Sequence, residues 1–129
     1  FPGVEEALAA LKEKGVKIGI VTSRTTDTTI NGLESFGLLQ YFDAIVASED
    51  TDIHKPEPEP CLICCEKLGI DPADAVMVGD SRHDIACGNN AGAASAFVMW
   101  SFCTDPATLD GIEKPTYIIN EAKELVDLV

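Results

Sequence analysis

Stretches with helical and strand-like hydrophobic spacing alternate along this chain. Residues 3–14 place Val4, Leu8 and Leu11 on one face of a predicted helix that Gly15 ends. Residues 17–22, Lys-Ile-Gly-Ile-Val-Thr, read as a short strand. Residues 26–36 read as a helix with Ile30, Leu33 and Phe36 turned inward, closed by Gly37. A strand at 44–47 precedes a helix at 58–68, which a proline begins and Gly69 closes. The chain continues with a strand at 75–78, a helix at 83–91 closed by Gly92, and strands at 95–99 and 117–119. A last helix is predicted over 120–128, capped by Asn120.

This alternation predicts an α/β fold, a parallel sheet covered by helices on both faces with right-handed crossovers. A chain of 129 residues fits a single domain, 1–129, with a real core. No internal repeat or low-complexity segment interrupts it. The least regular stretches are 48–60 and 101–115.

Charge narrows the partners. With 22 acids against 9 Lys and Arg, the formal net charge is −13, so there is no basic surface to neutralise a nucleic-acid backbone. An anionic membrane surface is disfavoured for the same reason. A small phosphorylated substrate remains compatible, because a few local cations and a metal can dominate a pocket. The five cysteines are odd in number and lack a framework spacing, which argues against a secreted disulfide scaffold. Cys61, Cys64 and Cys65 share one helical face and read as small apolar packing units, without a disulfide among them. No signal peptide or membrane-length apolar run is visible, which makes a reducing cytoplasm the default compartment.

Chemistry-bearing residues gather where strands end. Thr22-Ser23-Arg24 follows the first strand, where hydroxyls and free N–H groups suit a phosphate oxygen. His54-Lys55-Pro56-Glu57-Pro58 places a lysine in a proline-stiffened loop, and His54 itself reads as loop surface. Val78-Gly79-Asp80 ends an apolar run in a carboxylate, with Asp84 four residues on. Two acids so close make a ready site for a hard cation such as Mg²⁺, and the C-terminal edge of an open α/β sheet is where ligands sit. Taken singly, these are helix caps and a surface lysine. Taken in order, they form a more specific set.

In that order they resemble motifs two, three and four of the haloacid dehalogenase (HAD) superfamily: Ile-Val-Thr-Ser, His-Lys-Pro-Glu-Pro, and Val-Gly-Asp-Ser-Arg-His-Asp-Ile. The opening Pro-Gly-Val-Glu-Glu-Ala-Leu is similar to the helix before motif two, and the lysine motif is closest to the phosphoglycolate phosphatase and pyrophosphatase-like branch. The resemblance implies a Rossmann-like core and a Mg²⁺-dependent phosphatase acting on small phosphate monoesters through an aspartyl-phosphate intermediate. It implies that Thr22 and the Ser23 amide bind the transferring phosphoryl group and that Lys55 holds the nucleophile and the phosphate charge. It further implies that Asp80 ligates Mg²⁺, and that Asp84 supports the metal site or pairs with Lys55.

One departure qualifies this reading. The family's Asp-x-Asp-x-Thr motif, source of its nucleophile, does not occur; Asp50-Thr51-Asp52 is the only similar triplet and lies in a loop. The helical cap that follows that motif is missing too, and the chain starts without an initiator Met. The expectation is therefore a portion of a larger core, inactive by itself. The nucleophile strand would lie between 17–22 and 75–78, so an open gap and marginal stability are expected there. A sugar phosphomutase and a non-catalytic metal- or phosphate-binding regulatory domain are the rival readings.

Overall fold

The computed structural model describes residues 3–55, 57–99 and 109–128. Its strands are β1 (Gly19–Val21), β2 (Ala44–Val46), β3 (Val76–Gly79), β4 (Ala94–Val98) and β5 (Tyr117–Ile119). Its α-helices are α1 (Val4–Glu13), α2 (Thr26–Ser35), α3 (Glu59–Leu68) and α4 (Arg82–Asn90). Short 3₁₀ turns, such as Leu39–Tyr41 and Ser48–Asp50, fill the connections.

All described strand pairs are parallel, as an alternating βα chain requires. They form two ladders rather than one. β1 pairs with β2, with Ile20 opposite Ile45. β4 lies between β3 and β5, with Met77 opposite Ser95 and Phe97 opposite Ile118. No ladder joins β1 to β3 among the described residues.

Period-two alternation splits the side chains of the three-stranded sheet between two helical layers. Met77 packs with Cys61 and Cys65 of α3 and Cys87 of α4. Val76 packs on the other face with Ala96, Val98 and Ile119, beside Leu125 and Leu128. α3 also covers β1 and β2 through Cys64 and Leu68, which pack against Val21 and Val46. It thus ties the two ladders together from one side. α1 packs against the C-terminal 3₁₀ helix, Ala122–Leu128.

Between the ladders runs a groove of about 640 Å³. Its walls are β1 and β3; Cys61, Cys64 and Leu68 line it from α3, and Leu8, Leu11, Leu125 and Leu128 line it too. The strand edges facing it have no ladder partner among the described residues, and Val78 of β3 is 42% exposed. The open gap expected from the sequence is therefore present.

Three local expectations are corrected. Phe36 does not turn inward: it is 78% exposed, because α2 ends at Ser35 and the backbone at Phe36 leaves the helical conformation. The last segment is a 3₁₀ helix, not an α-helix, and begins at Ala122. Asn120 uses its backbone N–H, donated to the Glu124 carboxylate at 3.2 Å, where a side-chain cap was expected. Cys61, Cys64 and Cys65 are buried free thiols, as the spacing predicts, and Cys87 is a fourth. Burial pushes Cys61 up to about 12 and Cys64 up to about 11, so both stay protonated at neutral pH. Cys103 and Pro56 lie outside the described residues.

Candidate functional site

β3 ends at Gly79, and the chain turns at once into α4. Ser81 caps that helix, its hydroxyl accepting from the Asp84 N–H at 3.2 Å. The turn brings Asp84 back over the end of β3. A Cβ on Gly79 would run into the Asp84 carboxyl, so this close approach requires glycine. Sequence reading passed over Ser81 and Gly79, although the Gly-Asp-Ser order following an apolar run is their signal.

Asp84 then works with both oxygens. Lys55 donates to one at 2.6 Å, and the Asp80 N–H donates to the other at 3.3 Å. The ion pair is largely removed from water, with side-chain exposures of 18% for Lys55 and 12% for Asp84. Lost rotamer freedom and desolvation are both offset by charge-assisted hydrogen bonding, so removing one partner leaves a costly unpaired charge. The loop before α3 and the N-terminus of α4 are thereby clamped together.

Asp80 differs from its neighbour. Its carboxylate has no hydrogen-bond or ion-pair partner among the described residues and stands at the strand tip. A free, hard oxygen donor in that place fits Mg²⁺. Among the described residues, no three His, Cys, Asp or Glu side chains are grouped so as to hold a metal, so Asp80 fits as one ligand of a site completed by other donors.

Thr22 and Ser23 directly follow β1, the strand that forms the other wall of the groove. The Thr22 N–H donates to the Val46 carbonyl at 2.9 Å, which continues the β1–β2 ladder beyond Val21. The Thr22 hydroxyl oxygen accepts from the Arg24 N–H at 3.1 Å, leaving its proton free to donate. No hydrogen bond joins Thr22 or Ser23 to the Lys55–Asp84–Asp80 cluster among the described residues. Asp84 thus joins Lys55 and Asp80 through its two carboxylate oxygens, and the hydroxyl pair takes no part in that bonding. Asp50 of the loop triplet is engaged elsewhere, accepting from the Ala47 N–H at 2.7 Å. Another residue overlooked in the sequence is Glu59, whose buried Oε2 has no hydrogen-bond partner among the described residues.

Comparison with known proteins is consistent with this geometry. The profile of the haloacid dehalogenase-like hydrolase family matches residues 1–98. The pyrophosphatase PpaX of Bacillus pumilus is 39% identical over 129 residues, 100% of this chain and 59% of that protein. An HAD phosphatase from Thermococcus onnurineus superposes with a TM-score of 0.82 at 32% identity, over 99% of this chain and 57% of the other. A predicted phosphoglycolate phosphatase from Haemophilus somnus gives a TM-score of 0.89 at 28% identity, over 99% and 56%. The chain spans a little under three-fifths of the length of these relatives.

Proposed function

The chain belongs to the haloacid dehalogenase-like hydrolase family, and we propose from this that it supplies one half of the active site of a Mg²⁺-dependent phosphatase. The substrates are small phosphate monoesters or pyrophosphate, in keeping with the names of its relatives. The observation that carries this reading is the Lys55–Asp84–Asp80 cluster at the tip of β3, one of the two strands that wall the groove.

In the complete enzyme, an aspartate carboxylate attacks phosphorus, the leaving group departs with its electron pair, and water then hydrolyses the aspartyl phosphate. The aspartate comes from an apolar strand seated in the groove between β1 and β3, within the part of the relatives' length that this chain does not span. Unpaired edges and apolar walls support that seat. Thr22 donates its free hydroxyl proton to a phosphoryl oxygen. Lys55 neutralises charge on the nucleophile and the phosphoryl group, while Asp84 positions Lys55 and the Asp80 backbone. Asp80 holds Mg²⁺, which when bound offsets negative charge on the phosphoryl oxygens. Catalysis in this scheme is positioning and charge stabilisation.

No described helix is long and apolar enough to cross a membrane. The buried free thiols suit a reducing compartment, and on that ground we propose the cytoplasm. The test is phosphate release from pyrophosphate and 2-phosphoglycolate with Mg²⁺. The isolated chain should give no turnover above background. The chain extended to the length of its relatives should turn over, and lose on the order of 10²-fold or more on Lys55→Ala or Asp80→Asn. Turnover by the isolated chain that Asp80→Asn abolishes would show that a residue within this chain attacks, and would end this reading.

A further inference from the structure

The proposed site has a cation that the chemistry above does not use. Arg24 lies two residues beyond Thr22, and its backbone is fixed on both sides. Its N–H donates to the Thr22 hydroxyl at 3.1 Å, and its carbonyl accepts from the Ser48 N–H at 2.8 Å. The guanidinium is exposed and has no hydrogen bond or ion pair among the described residues.

Arg24 stays free in a chain with a net charge of −13. Acids are available nearby. Glu49 sits on the loop that bonds the Arg24 carbonyl, yet its carboxylate is committed to Thr26, accepting from the N–H at 2.7 Å and from the hydroxyl at 2.8 Å. The other cations at this edge are already paired, Lys55 with Asp84 at 2.6 Å and Arg82 with Glu113 at 3.7 Å. Arg24 is thus a positive charge rooted beside the phosphate-binding hydroxyl and kept out of internal pairing.

We propose that Arg24 is a specificity residue, one that binds a second anionic group on the substrate, so that the site selects phosphate compounds with an anionic leaving portion. This rests on the phosphatase reading and names its substrate class. An arginine suits the task because its planar fork can engage two oxygens of a phosphate or a carboxylate, and it remains charged at every working pH. In so acidic a protein, a substrate bearing two anionic groups is repelled by the overall field. A free local cation offsets this where the second group lies.

The test compares affinities of the isolated chain for three probes by calorimetry and amide NMR, in the presence of Mg²⁺. Ethyl phosphate and 2-phosphoglycolate differ in the carboxylate; pyrophosphate carries a second phosphate. The wild-type chain should bind both probes with an anionic tail on the order of tenfold more tightly than ethyl phosphate. Arg24→Gln should bring those ratios close to one, and Arg24→Lys should keep part of the preference. Collapse of both ratios assigns Arg24 to anions in general, and collapse of the pyrophosphate ratio alone assigns it to phosphate. Ratios that Arg24→Gln leaves intact overturn the proposal while the phosphatase reading stands, provided Thr22→Ala weakens all three probes together. If no probe shifts the Thr22 and Ser23 amides of the wild-type chain, this proposal falls, and the phosphatase reading is judged by turnover of the extended chain.

Discussion

β4 and β3 are adjacent, parallel and built from similar residues, yet they live in different environments. β4 is hydrogen-bonded on both edges, and Phe97 at its centre is fully buried. Among the described residues β3 is bonded on one edge, and its Val78 is 42% exposed. The sequence of each, a short apolar run, is what a strand buried on both faces requires. Apolar composition alone therefore does not bury a strand; a neighbour on each edge does. The difference locates the functional question, because the exposed strand leads into Asp80, the proposed Mg²⁺ ligand, and the buried one into none of the proposed site residues.

The largest expected effect tests that contrast. Phe97→Ala should destabilise the chain by about 3–5 kcal/mol, enough to unfold a marginal domain, whereas Val78→Ala should cost under about 1 kcal/mol. Denaturant titration of both variants checks this. Equal losses would mean that Val78 is buried in solution and the groove is closed.

A second expectation concerns the joint between β3 and α4. Gly79→Ala forces a methyl against the Asp84 carboxyl, and should cost about 1–3 kcal/mol as an overpacking strain. It should also release Lys55, which NMR of the lysine ammonium would detect. A variant with wild-type stability and an intact Lys55–Asp84 bond would show that the close approach is not required.

The smallest effect lies in the β1–β2 half. The Asp43 carboxyl is held below its ordinary value by hydrogen bonds from Lys12 at 2.5 Å and the Ile18 N–H at 2.8 Å. A carboxylate favoured by folding contributes its stability above the unfolded value and loses it as pH falls through the folded one. The Lys12 and Asp43 side chains are about one-third exposed, so water screens the pair and the contribution stays below about 1 kcal/mol. Asp43→Asn should accordingly flatten the acid limb of stability against pH by that small amount. An unchanged limb would remove Asp43 from the account.

Much of this was legible in the sequence because the signals were local. Apolar runs bounded by Gly15, Gly37, Gly69 and Gly92 mark the elements, since a glycine with positive φ at these positions ends a helix. The order of hydroxyl, lysine and paired acids placed the site at strand ends. What escaped depended on tertiary context. Phe36 satisfies a helical period, but its exposure reflects where α2 stops. Asn120 is a good cap by type, yet the segment beyond it winds as a 3₁₀ helix, for which local sequence carries little preference. The need for Gly79 follows from Asp84 folding back over it, a contact between two residues whose geometry no composition reveals.

β1 and β3 flank an open groove, with Thr22 following one strand and Asp80 the other, and strand-level NMR of the isolated chain probes that opening. No cross-strand contacts are expected between Gly19–Val21 and Val76–Gly79, together with fast amide exchange along the groove-facing edges and slow exchange in β4. Cross-strand contacts between those two segments, with exchange as slow as in β4, would show a closed sheet and contradict the open groove.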